Sequence, residues 1–203
     1  MENYCVNYRE SNSSARLKGF LSQIFNGKVP VVLCIGTDAV SGDSLGPLTG
    51  SLLQNKLLGK TLVLGNMNYP VTAKEIPFVA EFLKDVFPSS PILAIDAALG
   101  QKEDIGALKI LNAPVKPGLG VNKNLAPLGT QSLIAVVEEK SGNKNLLSSV
   151  RLSLVYSLAE IISSAVSEYV LDCYDRYCLF EKKKYQDVYG QSREKHPDNQ
   201  LIG

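Results

Sequence analysis

Of 203 residues only one is histidine, His196, and it lies in a polar stretch close to the C-terminal end. That scarcity disfavours Ser-His-Asp and Cys-His catalysis, and no serine stands in a GxSxG elbow. Cysteine is also sparse, with four in the chain and no CxxC pair. Cys34 lies inside an apolar run and reads as a small core residue. Cys5 stands in the polar N-terminal stretch, and Cys173 and Cys178 are five apart near the end of a helix. Neither a disulfide framework nor a Cys/His zinc site is expected. Charge of one sign is missing too: 21 Lys and Arg stand against 20 Asp and Glu. A formal charge of +1 creates no broad field that would draw in nucleic acid or an anionic membrane. No apolar run approaches the roughly 18–20 residues that span a bilayer. Met1 to Ser14 has no apolar stretch like that of a signal peptide. The expected location is therefore the cytoplasm.

What is present is an alternation of apolar runs and helical patterns. Leu17, Phe20, Leu21, Ile24 and Phe25 fall on one face of a helix over 14–26, capped by Ser13 or Ser14. Val29–Ile35 is continuous and β-branched, so it reads as a strand covered on both faces. A helix over Ser44–Leu58 carries Pro47 in its first turn and Gly59 beyond its end. Thr61–Leu64 is a second strand. A helix over 74–87 buries Ile76, Val79, Ala80, Leu83, Val86 and Phe87, and Pro88 stops it. Pro91–Leu99 is the next strand, Ala107–Leu111 an edge strand, and Leu133–Val137 a late strand. Residues 113–130 hold three prolines and three glycines and read as a long loop. Leu147, Val150, Leu154, Leu158, Ile161, Ala165 and Tyr169 step at helical spacing from Leu146 to about Tyr177. Residues 1–13 read as a polar segment, 14–180 as a single α/β domain and 181–203 as a flexible tail. The order α-β-α-β-α-β argues for a mostly parallel sheet with helices on both faces.

Two carboxylates stand at matching points of this pattern. Asp43 follows the first strand in Gly36-Thr37-Asp38-Ala39-Val40-Ser41-Gly42-Asp43-Ser44-Leu45-Gly46-Pro47. Asp96 follows the apolar run that opens the third, in Ala94-Ile95-Asp96-Ala97-Ala98. Parallel neighbouring strands would set both at one sheet edge, where open α/β sheets place their sites. The glycine-bearing segment matches neither GxxxxGK[ST] nor GxGxxG, so a nucleotide site is not implied. Asp43 directly precedes a helix, and a simple N-cap explains it as well as chemistry does. Asp38 is a weaker rival in the same loop. Asp96 has no polar neighbour in sequence, and a carboxylate in apolar surroundings must be paired, protonated or satisfied by loop N–H groups. If the two acids approach, like-charge repulsion favours one shared proton, one acid and one base. In the long loop, Gly118 and Gly120 allow close backbone approach to a ligand. Asn122 and Lys123 follow; Lys123 offers a positive charge to a substrate, or is simply a solvated surface lysine.

Together, Ile35-Gly36-Thr37…Gly42-Asp43-Ser44-Leu45-Gly46-Pro47, Ala94-Ile95-Asp96-Ala97 and Pro117-Gly118-Leu119-Gly120-Val121-Asn122-Lys123 resemble the YyaC-type sporulation proteins. More distantly they resemble the spore germination protease. The likeness spans about residues 28–140. It implies the three-layer α/β fold shared with hydrogenase maturation proteases. It further implies an aspartic-type peptidase in which Asp43 and Asp96 are the catalytic acids, with Asp38, Gly118, Gly120, Asn122 and Lys123 as substrate-binding candidates. The substrate class so implied is a protein or peptide, small acid-soluble spore proteins among them, and the compartment the forespore or spore core. Maturation proteases use acids plus a histidine to engage nickel; this chain has no histidine outside its tail. The segment after the second strand usually carries an acid and a histidine in that pattern; here Asn68 and Thr72 stand nearby, which weakens any role assigned there. No cofactor, metal, nucleic acid or membrane partner is called for, and self-association is left open. A non-catalytic regulatory protein on the same fold, or a metal-dependent hydrolase using the same acids, are the alternatives.

Overall fold

In the computed structural model the described residues are 3–115, 127–140 and 146–193. The chain forms one six-stranded sheet: β1 (Asn3–Asn7), β2 (Val31–Cys34), β3 (Val63–Leu64), β4 (Ile92–Gly100), β5 (Ala107–Leu111) and β6 (Gln131–Glu139). Its helices are α1 (Ser13–Phe25), α2 (Leu45–Leu57), α3 (Ile76–Val86) and α4 (Leu152–Arg193). The strand order is β1-β5-β6-β4-β2-β3. The four strands from β6 to β3 run parallel, and β1 and β5 are antiparallel. The sheet is therefore mixed.

β2 explains why the sheet is a middle layer. All four of its residues are buried, and successive side chains point to opposite faces. Val32 and Cys34 join the core built by α1, α2 and α4. Val31 and Leu33 join a second core, under α3. The result is a three-layer α/β sandwich. After α2 the chain returns to β3 on one side of β2, and after α3 it returns to β4 on the other. The strand order therefore reverses between β2 and β4, and the crevice outside their carboxyl ends is the usual ligand position of such sheets.

α4 holds the first core together. Its Val155, Leu158, Ile162, Ala165, Val166, Tyr169 and Val170 are all buried. The Tyr169 ring lies 5.9 Å from that of Phe25, and its hydroxyl donates to the Lys28 carbonyl at 2.9 Å. Over Leu152–Lys182 the helix is long and apolar enough to cross a membrane by length and composition alone, and just over half of the window concerned is buried inside the protein. This corrects the expectation that no segment of the chain reaches that threshold.

Other expectations change in detail. The residue before α1 is Asn12, and its side chain makes no capping bond; neither Ser13 nor Ser14 serves as cap. Val86 is 55% exposed, because it falls on the outer side of the short helix α3. β5 is interior to the sheet rather than at its edge, since β1 pairs with it from Asn3↔Leu111 to Asn7↔Ala107. The helical pattern expected to end near Tyr177 continues to Arg193.

Candidate active site

β2 ends at Cys34, and Ile35 makes a bridge to Val71. The chain then turns through Gly36–Ser44 and enters α2. Two close backbone approaches fix this turn. Gly36 sits at φ 142°, and a Cβ there would stand 2.0 Å from the Asp43 carbonyl oxygen. A Cβ on Gly46 would stand 2.0 Å from the Ile35 carbonyl oxygen. Only hydrogen fits at either place, which is why the segment is glycine-bearing without being a phosphate loop. The Thr37 N–H donates to the Asp43 carbonyl at 3.2 Å, and Ser44 N–H to that of Val40 at 2.9 Å.

Ser41 holds the turn from outside. Its Oγ lies 2.8 Å from the Val150 carbonyl oxygen, with the Leu147 and Ser148 carbonyls at 3.2 and 3.3 Å. One hydroxyl proton serves one acceptor at a time, so the clamp is a choice among three. Ser44 Oγ donates back to the Ser41 carbonyl at 2.6 Å. Sequence reasoning missed Ser41, Thr37 and the steric role of Gly46. The spacing of glycines around Asp43 was the only available signal for them.

Asp43 lies in a 3-10 turn, Gly42–Ser44. The N-cap position of α2 is Ser44, and no side chain makes a capping bond there. The N-cap explanation of Asp43 is thereby overturned: the extra 3-10 turn moves the acid away from the helix start. Its side chain is half-buried. Burial raises its pKa above the ordinary carboxylate value, partly offset by the Thr37 backbone N–H.

Asp96 lies in β4, one residue past the last β2 pair, Cys34↔Ile95. On β4, Ala94 belongs to the α3-side core, and strand alternation sets Asp96 on that same face. Its pKa is pushed up to about 7, first by burial and then by the charge of Asp43, while the Ala97 backbone N–H pulls it down. The two acids therefore feel each other across the switch point. The surface accessibility of Asp96 is intermediate, so water reaches a carboxyl that is still about half protonated near pH 7. Asp38 is exposed in the same turn, and it is not among the groups that act on Asp96.

Gly118, Gly120, Asn122 and Lys123 lie outside the described residues. Their flanks are described: Val115 and Leu128 pair antiparallel and join the core on the Asp96 face of the sheet. His196 also lies outside the described residues. Among the described residues no group of three or more His, Cys, Asp or Glu side chains is placed to hold a metal ion. The Asp43 and Asp96 carboxylates offer hard oxygen donors.

A family model described as "Protein of unknown function (DUF1256)" matches residues 5–165. The chain belongs to the DUF1256 family. A relative, "Uncharacterized protein YyaC" of Bacillus subtilis (strain 168), is 31% identical over 166 residues, covering 80% of this chain and 81% of the relative. Among solved structures, the [NiFe] hydrogenase maturation protease HycI from Thermococcus kodakarensis KOD1 is similar with a TM-score of 0.49 and 20% identity. That match covers 74% of this chain and 98% of HycI. The DUF1256 match spans β2, β4 and the turn between β2 and α2, so both acids lie within the family's own extent.

Proposed function

We propose that this DUF1256 protein is a sporulation-associated hydrolase that cleaves a peptide bond with the Asp43–Asp96 pair. The supporting observation is the asymmetry of the pair. Asp96 keeps a proton to about pH 7 beside a second carboxyl at the carboxyl ends of adjacent parallel strands. One shared proton gives one acid and one base. Ionised Asp43 takes a proton from water as the water oxygen attacks the carbonyl carbon. Protonated Asp96 gives its proton to the leaving nitrogen as the C–N bond breaks. The two acids then hold one proton between them again, on the opposite partner. Peptide rather than another acyl substrate is chosen because the motifs around both acids resemble those of the germination protease.

The test uses a small acid-soluble spore protein as substrate and mass spectrometry of new N-termini. Wild type should cleave it. Asp43→Asn and Asp96→Asn should each slow cleavage by at least about a hundredfold, the usual range for losing a proton-transfer group. Cleavage should survive exhaustive chelation. Unchanged processing by both variants would overturn the catalytic reading, and a stoichiometric divalent ion lost together with activity would favour the metal-dependent one.

A further inference from the structure

β4 is longer than the strand beside it. It pairs with β6 from Leu93 through Gly100, but with β2 only from Ile92 through Ile95. The remaining edge, starting next to Asp96, has no strand on the β2 side. The direction of its peptide groups follows from its hydrogen bonds. The Pro91 and Ile95 carbonyls accept from Val31 and Ile35 on β2, at 2.9 and 2.8 Å. The Ile92 and Gly100 carbonyls accept from Thr130 and Lys140 on the β6 side, at 2.9 and 2.7 Å. Odd-numbered residues thus face β2 and even-numbered residues face β6. Ala97 and Leu99 fall on the open side. The Ala97 N–H is directed at the Asp96 carboxyl, which leaves the Ala97 carbonyl and the Leu99 N–H and carbonyl. No backbone partner for these three groups occurs among the described residues.

The register shifts between Ala98 and Leu99 against β6. The extra residue there is Val137 of β6, so β4 itself stays regular and its odd-numbered residues keep facing the β2 side through Leu99. The edge is also short, and residues 97–100 are half-buried. It is a recessed ledge rather than an open aggregation edge.

We propose that this ledge seats the substrate as an added β-strand: an extended peptide pairs its backbone with Ala97 and Leu99 and so runs past Asp43 and Asp96. The inference deepens the hydrolase reading and rests on it for the fate of the peptide, but the docking is separable from the chemistry. An occupant with free N–H and C=O groups at every second residue is what three such edge groups recognise, and a folded surface or a small apolar ligand does not supply it. Recognition through the backbone tolerates many sequences and selects against folded segments. At roughly 3.3 Å per residue, a peptide bonded to Leu99 reaches the level of Asp96 within three residues.

The test separates docking from cleavage by using the full-length Asp96→Asn chain, which keeps the edge and lacks the acid. A random dodecapeptide pool is panned against it, and the best binder is resynthesised with single N-methyl groups along its length. Methylation of N–H groups that face the ledge should weaken binding at least tenfold; methylation one residue away should change it less than threefold. Leu99→Pro, which removes an outward N–H and leaves the β6-facing ones, should also weaken binding at least tenfold. Failure to select any peptide, uniform tolerance of N-methylation, or undiminished binding by folded Leu99→Pro would overturn the proposal. If the alternating pattern appears but wild type cleaves nothing, the docking stands and the hydrolase reading falls.

Discussion

A carboxyl group that holds its proton to about pH 7 costs the fold nothing below about pH 4, begins to weaken it by pH 5 and weakens it most above pH 7. The unfolded chain releases that proton near 3.8, whereas folded Asp96 releases it near 7. Between those values the folded state binds more protons, so stability falls as pH rises and is fully present only below the unfolded value. At 1.36 kcal/mol per pKa unit the loss is at most roughly 4 kcal/mol. Asp96→Asn should therefore raise Tm by several degrees at pH 8.5, by clearly less at pH 5, and leave it unchanged only below about pH 3.8, as read by calorimetry. Active sites commonly carry such a cost. Asp96 was legible in the sequence because Ala94, Ile95, Ala97 and Ala98 offer a charge no partner. Asp43 was half legible: a helix start follows it, and only the 3-10 turn at Gly42–Ser44 removes the capping explanation. Ser41 was not legible, since its partners are carbonyls more than 100 residues away.

At the scale of elements, the turn between β2 and α2 depends on contact between backbones. Gly46→Ala would drive a methyl group into the Ile35 carbonyl, and should destabilise by about 2 kcal/mol or more, in the range of overpacked interiors. Denaturant unfolding reads this directly. Ser41→Ala frees the turn from the Leu147–Val150 segment. It should cost about 1 kcal/mol and lower kcat of peptide cleavage more than it raises KM. The strands and helices with unbroken apolar patterns, β2, β4, α1 and α3, were readable to within a few residues because one period dominates each. β1 was not, because Asn3-Tyr4-Cys5-Val6-Asn7 has only Val6 fully buried among its described side chains and takes its strand form from pairing with β5. The unpaired end of β4 was invisible for a related reason: it depends on where β2 stops, and a sequence does not state the relative lengths of neighbouring strands.

Across the whole molecule, topology does most to bring the acids together. They are 53 residues apart in sequence, and the reversal of strand order between β2 and β4 makes them neighbours. α4 spans both cored and uncored territory. Its buried residues end at Cys173, while Tyr177, Leu179 and Phe180 are more than 60% exposed. The double substitution Leu179→Lys and Phe180→Lys should leave the unfolding midpoint within about 2 °C by circular dichroism, because neither side chain is buried. The proton balance of the site belongs to this scale too, since burial by the assembled layers is the first cause of both pKa rises. The most direct measurement is a carbon-13 NMR titration of the Asp96 carboxyl in wild type and in Asp43→Asn. The account predicts a midpoint near pH 7 in wild type, and a lower midpoint, still above 4, once the Asp43 charge is gone. A midpoint near 4 in both proteins would show two independent ionised carboxylates and contradict the shared-proton site.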